Sequence, residues 1–159
     1  MRLFVEYTWG KPDGLTYVNT GKENVKNLRP VISEEGVFRT PAVNQCRKRG
    51  LFLNTLRSVV DDNAKWFSLL HDYYQHFRYR TIMTTDMEAF FNQQTGMNLM
   101  PIFNEYLRYA QIPFLLLRFD PATHPVSYRW QADASDFAMP VEVGQKDLWQ
   151  LISPTTTEW

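Results

Sequence analysis

A single cysteine, Cys46, in 159 residues excludes an internal disulfide and a cysteine-rich metal site, and leaves the compartment open. Histidine is scarce as well: His71, His76 and His124 are the full set. Five residues on a helix turn His71 about 140° away from His76, so the pair does not form a two-histidine metal face, and both read as ordinary surface or half-buried residues. His124, between Thr123 and Pro125, reads as a turn residue. Charge of either sign is not in excess, with 17 basic against 17 acidic side chains. The balance removes the electrostatic reason to expect nucleic acid or an anionic membrane as a partner. The sequence has no run of about 18 apolar residues to span a bilayer. Its first ten residues also lack the basic region and apolar stretch of a signal peptide.

What is present is a globular composition, 44% hydrophobic, ordered as helices and then strands. Leu3, Phe4, Tyr7 and Trp9 recur at near-helical spacing with no N-cap before them, as if the chain began inside a helix. A break at Gly10 to Pro12 leads to a helix expected over Asp13 to Asn27, with Leu15, Val18 and Val25 on one face and Gly14 and Gly21 weakening it. Arg29 to Pro41, punctuated by Pro30, Ser33 and Gly36, reads as loop. A helix resumes near Asn44 or Gln45 and carries an apolar stripe of Leu53, Leu56, Val59 and Val60 to Asp61. The next, Asn63 to Phe77, buries Trp66, Leu69, Leu70, Tyr73 and Phe77 at steps of three and four. Thr85 and Glu88 have the form of a capping box that opens a short helix carrying Met87, Phe90 and Phe91 and stopping at Gly96. A last helix, Met100 to Ala110, tolerates Pro101 in its first turn and buries Ile102, Phe103, Tyr106 and Leu107.

From Pro113 the pattern changes class. Phe114 to Phe119, Val126 to Trp130, Phe137 to Val143 and Leu148 to Ile152 are short apolar runs between turn residues, which indicates antiparallel strands. Val126, Tyr128 and Trp130 alternating with Ser127 and Arg129 suggest a sheet with one wet face. Thr155 to Glu158 ahead of Trp159 reads as a strand still under way. The expected fold class is α+β, with a helical unit over residues 1–112 and a β unit over residues 113–159.

Six pieces of sequence, in order, carry a resemblance. They are Gly50-Leu-Phe-Leu-Asn-Thr-Leu-Arg57, Asp61-Asp62 with Trp66-Phe67, Thr84-Thr85-Asp86, Gly96-Met-Asn-Leu99, Phe103-Asn-Glu-Tyr-Leu-Arg108 and Ile112-Pro113. Together, from about Val5 to Trp159, the chain resembles the aminopeptidase N family of zinc metallopeptidases, the M-one gluzincins. It is most similar to the bacterial subgroup in which a short β domain follows the catalytic domain. The resemblance implies the helical half of a thermolysin-like catalytic domain running into the start of a β-sandwich, both incomplete. It also implies peptide substrates cleaved at their N-termini and zinc as the cofactor of the full-length family. That zinc is held by HExxH and a third Glu from the next helix. These motifs, and the exopeptidase signature GxMEN, are absent from residues 1–159, so this chain is expected to hold no metal or cofactor and to be inactive alone. One catalytic position of the family does fall within it. A tyrosine that donates to the oxyanion precedes the matched glycine by three residues, and here that position is Arg47. A fixed guanidinium charge would repel zinc, so the role is not carried over and no catalytic residue is assigned. The mismatch runs from Val37 to Arg49, ends abruptly on both sides, and fits a short frame change in the coding DNA better than gradual divergence.

The remaining features have plain readings. Cys46 beside Arg47 has no sequence-indicated His or Asn partner and reads as an ordinary thiol. Arg47-Lys48-Arg49 reads as a solvated helix start, not a nucleic-acid patch. Trp66, Tyr73, Tyr74, Phe77 and Tyr79 read as core packing, not a stacking platform. Asp61-Asp62 marks a helix boundary, and Glu34-Glu35 a solvated loop. The alternative function is a non-catalytic helical-plus-β scaffold or interaction module. In either case the apolar faces at Leu3, Phe4, Trp9 and Trp159 are expected to be uncovered and to favour self-association.

Overall fold

The computed structural model describes residues 2–22, 25, 27–32, 43–121, 126–145 and 148–159. The expectations placed on Ser33, Glu34-Glu35, Gly36, Val37 to Ala42 and His124 lie outside these residues. Helices α1 (Arg2–Trp9) and α2 (Lys11–Asn19) form a hairpin that reverses at Gly10, whose φ of +99° suits glycine. A Cβ on Gly14 would lie 2.8 Å from the Glu6 Cβ, so this glycine, weak for a helix, is what lets α2 approach α1. Helix α2 stops at Asn19 and does not continue to Asn27. Gly21 follows its end, and Asn27 has a left-handed φ of +47° incompatible with a continuing helix.

Helix α3 (Val43–Val60) buries Phe52, Leu56 and Val59 at steps of four and three. Leu56 and Val59 are buried and Val60 is half-buried as expected, whereas Leu53 is exposed and Phe52 takes the core position in its place. Asp61, at φ +49°, ends α3, and the Asp62 carboxylate accepts the Lys65 N–H at 2.9 Å to open α4 (Asn63–Phe77). The acid pair is thus the helix boundary its sequence suggested. In α4, Trp66 and Leu69 are buried and Tyr73 and Phe77 half-buried, whereas Tyr74, and Tyr79 beyond the helix end, are exposed and not part of the core.

Helix α5 (Thr84–Thr95) opens with Asp86 accepting the Met83 N–H at 2.8 Å. The Thr85–Glu88 capping box does not form, because Glu88 is buried and engaged elsewhere. Gly96, at φ +69°, stops the helix as expected. Helix α6 (Met100–Phe103) widens into a π-helix, Asn104–Arg108, and ends short of Ala110.

An aromatic chain runs through the core. Tyr73 meets Phe90 and Phe91 at 5.6 and 5.7 Å, Phe91 meets Phe103, Phe103 meets Phe52, and Phe52 stacks on Tyr106 at 5.3 Å. Tyr106 then meets Phe137 at 6.4 Å, and Phe137 meets Trp130 at 5.4 Å. One core therefore crosses the change from helices to strands. The strands form two antiparallel pairs. Strand β1 (Phe114–Phe119) runs beside β2 (Val126–Gln131) with Leu116 opposite Arg129, and β3 (Val141–Gln145) runs beside β4 (Leu148–Ile152). The chain is α+β.

Three strand expectations change. Phe137 to Met139 is not strand, since the Phe137 amide donates to the Ala134 carbonyl in a turn and its ring fills the core. The alternation along β2 is incomplete: Val126 is exposed and Arg129 half-buried, because Arg129 and Arg118 lie against the Trp159 ring. Thr155 to Glu158 is not a strand either. Its Thr155 carbonyl accepts the Trp130 N–H at 2.9 Å, and the segment folds back along β2.

Candidate functional site

The first turns of α3 and the end of α2 enclose an open cleft of about 450 Å³, whose lining includes Tyr17, Val18, Thr20, Cys46, Arg47 and Gly50. Arg47 and Cys46, one turn from Gly50, are both exposed. The cleft presents a guanidinium, a thiol and a phenol, a set able to bind a ligand. Among the described residues that line it there is no carboxylate or histidine to act as a general base.

His71 and His76 stand apart from any metal-ligand cluster among the described residues. His71 is exposed with Nδ1 3.4 Å from the Asp72 carboxylate, and His76 sets its ring edge-on to Phe77 at 4.5 Å. Among the described residues no group of three His, Cys, Asp or Glu stands close enough to hold a metal ion. Among the described residues the donor set does not fit zinc.

Ordered polar chemistry lies elsewhere, in three clusters built on the buried charged residues Arg57, Glu88, and Lys48 with Glu105. The Arg57 guanidinium donates to both Glu6 carboxylate oxygens at 2.9 and 2.8 Å and to Asn63 Oδ1 at 2.9 and 2.7 Å, tying α1 to the α3–α4 corner. Glu88, in α5, receives a two-pronged contact from Arg108 at 2.6 and 3.1 Å. That contact holds the Arg108 pKa above its ordinary value, chiefly through the hydrogen bond itself.

Lys48 departs most from expectation. It is not a solvated residue at a helix start but only 4% exposed. Its ammonium donates to the carbonyls of Tyr109 and Ala110 at 3.2 and 2.6 Å, capping the chain where the π-helix ends. Burial pulls its pKa below the usual lysine value, and the nearby charges of Glu105 and Asp133 partly offset that shift. Glu105 is fully buried, and its carboxylate accepts the backbone N–H groups of Asp133 and Ala134 at 3.3 and 2.7 Å.

Comparisons of the chain with protein-family models, with curated proteins and with solved structures return no match. Function therefore rests on the residues themselves. The structure brings Arg47 and Gly50 together at the cleft and keeps His71 and His76 away from it. Sequence reading missed Lys48, Glu88 and Glu105, whose partners are 61, 20 and 28 residues distant. Glu88 and Glu105 carried a local signal, a charge beside the apolar stripe of a helix, whereas Lys48, between Arg47 and Arg49, carried none.

Proposed function

We propose that this chain is the supporting wall of a zinc aminopeptidase-like enzyme that removes N-terminal residues from peptides, with the zinc and its ligands supplied from outside residues 1–159. One observation carries the reading: the residues of the resemblance have framework roles. Arg57 forms the α1–α3 ion pair, Asp62 caps α4, Trp66 is in the core, Gly96 stops α5 in the left-handed conformation, and Phe103 and Glu105 are buried. Arg47, at the family's tyrosine position, opens on a cleft together with Gly50. In the family the zinc polarises the attacking water and the scissile carbonyl. This chain contributes shape and support, within a thermolysin-like helical half followed by a β-sandwich.

The test has two parts. Purified residues 1–159 are expected to hold no stoichiometric zinc by elemental analysis and to leave aminoacyl chromogenic substrates uncleaved; one tightly bound zinc per chain overturns the assignment. Coding DNA upstream of Met1 is expected to carry, in frame, HExxH followed by a Glu. A start signal there without that motif favours the second reading, a scaffold or interaction module. The exposed apolar row Leu148, Trp149 and Leu151 on β4 is the observation that favours this alternative. Reading the codons of Val37 to Arg49 in the other two frames tests the frame change, which predicts a Tyr-x-Lys-Gly-like peptide in one of them.

A further inference from the structure

Lys48 and Glu105 are opposite charges buried at the same junction, yet each is solvated by backbone instead of by the other. Lys48 reaches from α3 to the carbonyls of Tyr109 and Ala110, at the start of the connection into β1. Glu105 reaches from the π-helix to the amides of Asp133 and Ala134, in the turn that follows β2. The two side chains thereby hold the chain entering β1 and the chain leaving β2, which the Phe114–Gln131 pairing sets at one end of the hairpin, and the aromatic contacts of Phe137 with Tyr106 and Trp130 close over the same turn. A buried ion held by peptide dipoles still gains from an opposite charge nearby, and loses most when that charge alone is removed. π-helical turns are also frequent where a helix carries a specialised side chain.

We infer that Lys48 and Glu105 act together as a polar latch that holds the β1–β2 unit against the helical layer, and that the junction opens locally when either side chain is substituted alone and its backbone contacts are lost or weakened. The latch does not depend on the peptidase reading. It acts through the placement of the 132–137 turn, so both residues are positioning residues.

Hydrogen exchange at the Asp133 and Ala134 amides, with the α4 amides as reference, tests the latch in the full chain. Lys48→Met and Glu105→Gln are each expected to speed exchange at these two amides by about tenfold to a hundredfold, the effect of removing a charged hydrogen-bonding partner. The α4 amides should change far less. The double variant should exchange more slowly than the product of the two single effects predicts, because neither charge is then left alone. Lys48→Arg, which keeps the charge, should stay near the parent. Unchanged exchange in Glu105→Gln, or multiplicative effects in the double variant, overturns the latch. If both single variants unfold outright, a folded double variant supports it and an unfolded one overturns it.

Discussion

The Tyr106 ring sits in the aromatic core between those of Phe52 and Phe137. Burial pushes its pKa up to about 12, opposed by a hydrogen bond with Thr55 and reinforced by the Glu105 charge. An ordinary tyrosine ionises near 10, so the folded state keeps its proton where the unfolded chain has lost it. The stabilisation is fully present below pH 10 and is lost as pH rises from 10 to about 12, an effect of order 3 kcal/mol. Lys48 acts with the opposite sign. Its lowered pKa makes folding costly while the ammonium is charged in both states, and that cost is relieved as pH rises toward 10.5. Comparing parent with Tyr106→Phe at each pH cancels the lysine contribution. Urea unfolding at pH 9, 10 and 11.5 is expected to show the parent losing stability relative to the variant, by about 2 kcal/mol at the highest pH. Parallel losses in the two proteins would refute the assignment.

At the scale of elements, the sharpest stop signal is Gly96. Its φ of +69° lies in the left-handed region, and a Cβ there would meet nothing within 4 Å, so a substitution tests backbone strain without a packing change. Gly96→Ala is expected to cost about 1 kcal/mol, and Gly96→Asn less, since asparagine tolerates that conformation. Equal costs in urea melts would mean that packing decides the site. Local signals of this kind were readable before the structure. The run from Asn63 to Phe77 and the strand from Phe114 to Phe119 occupy the residues their periodicity indicated, because cap, stripe and stop agree within one stretch. The misses came from long-range partners. Glu88 left its capping role for Arg108, Phe52 took the core position expected of Leu53, and Lys48 left solvent for carbonyls 61 and 62 residues on. At the site, sequence placed Arg47 beside Gly50, but the cleft that joins them depends on where α2 ends, which its own residues signal only weakly.

At the scale of the whole molecule, two separate strand pairs and a helical hairpin leave much apolar surface uncovered. Leu148, Trp149 and Leu151 on β4, Leu117 and Phe119 on β1, and Phe4 and Trp9 on α1 are all exposed. A two-stranded hairpin is marginal by itself, and its unpaired edges can accept another strand. The formal net charge of zero supplies no long-range repulsion to keep copies apart. Sedimentation velocity near neutral pH is expected to give a mass that rises with concentration over the micromolar range. Trp149→Lys should weaken that association, since it removes a ring that is 59% exposed and places a charge on the edge pair, a common device against strand pairing. The same substitution should leave the urea midpoint within about 0.5 kcal/mol of the parent, because Trp149 lies outside the core. A monomeric mass independent of concentration would refute self-association. An unchanged association constant in Trp149→Lys would move the contact to the α1 face, where Phe4→Lys is the corresponding test.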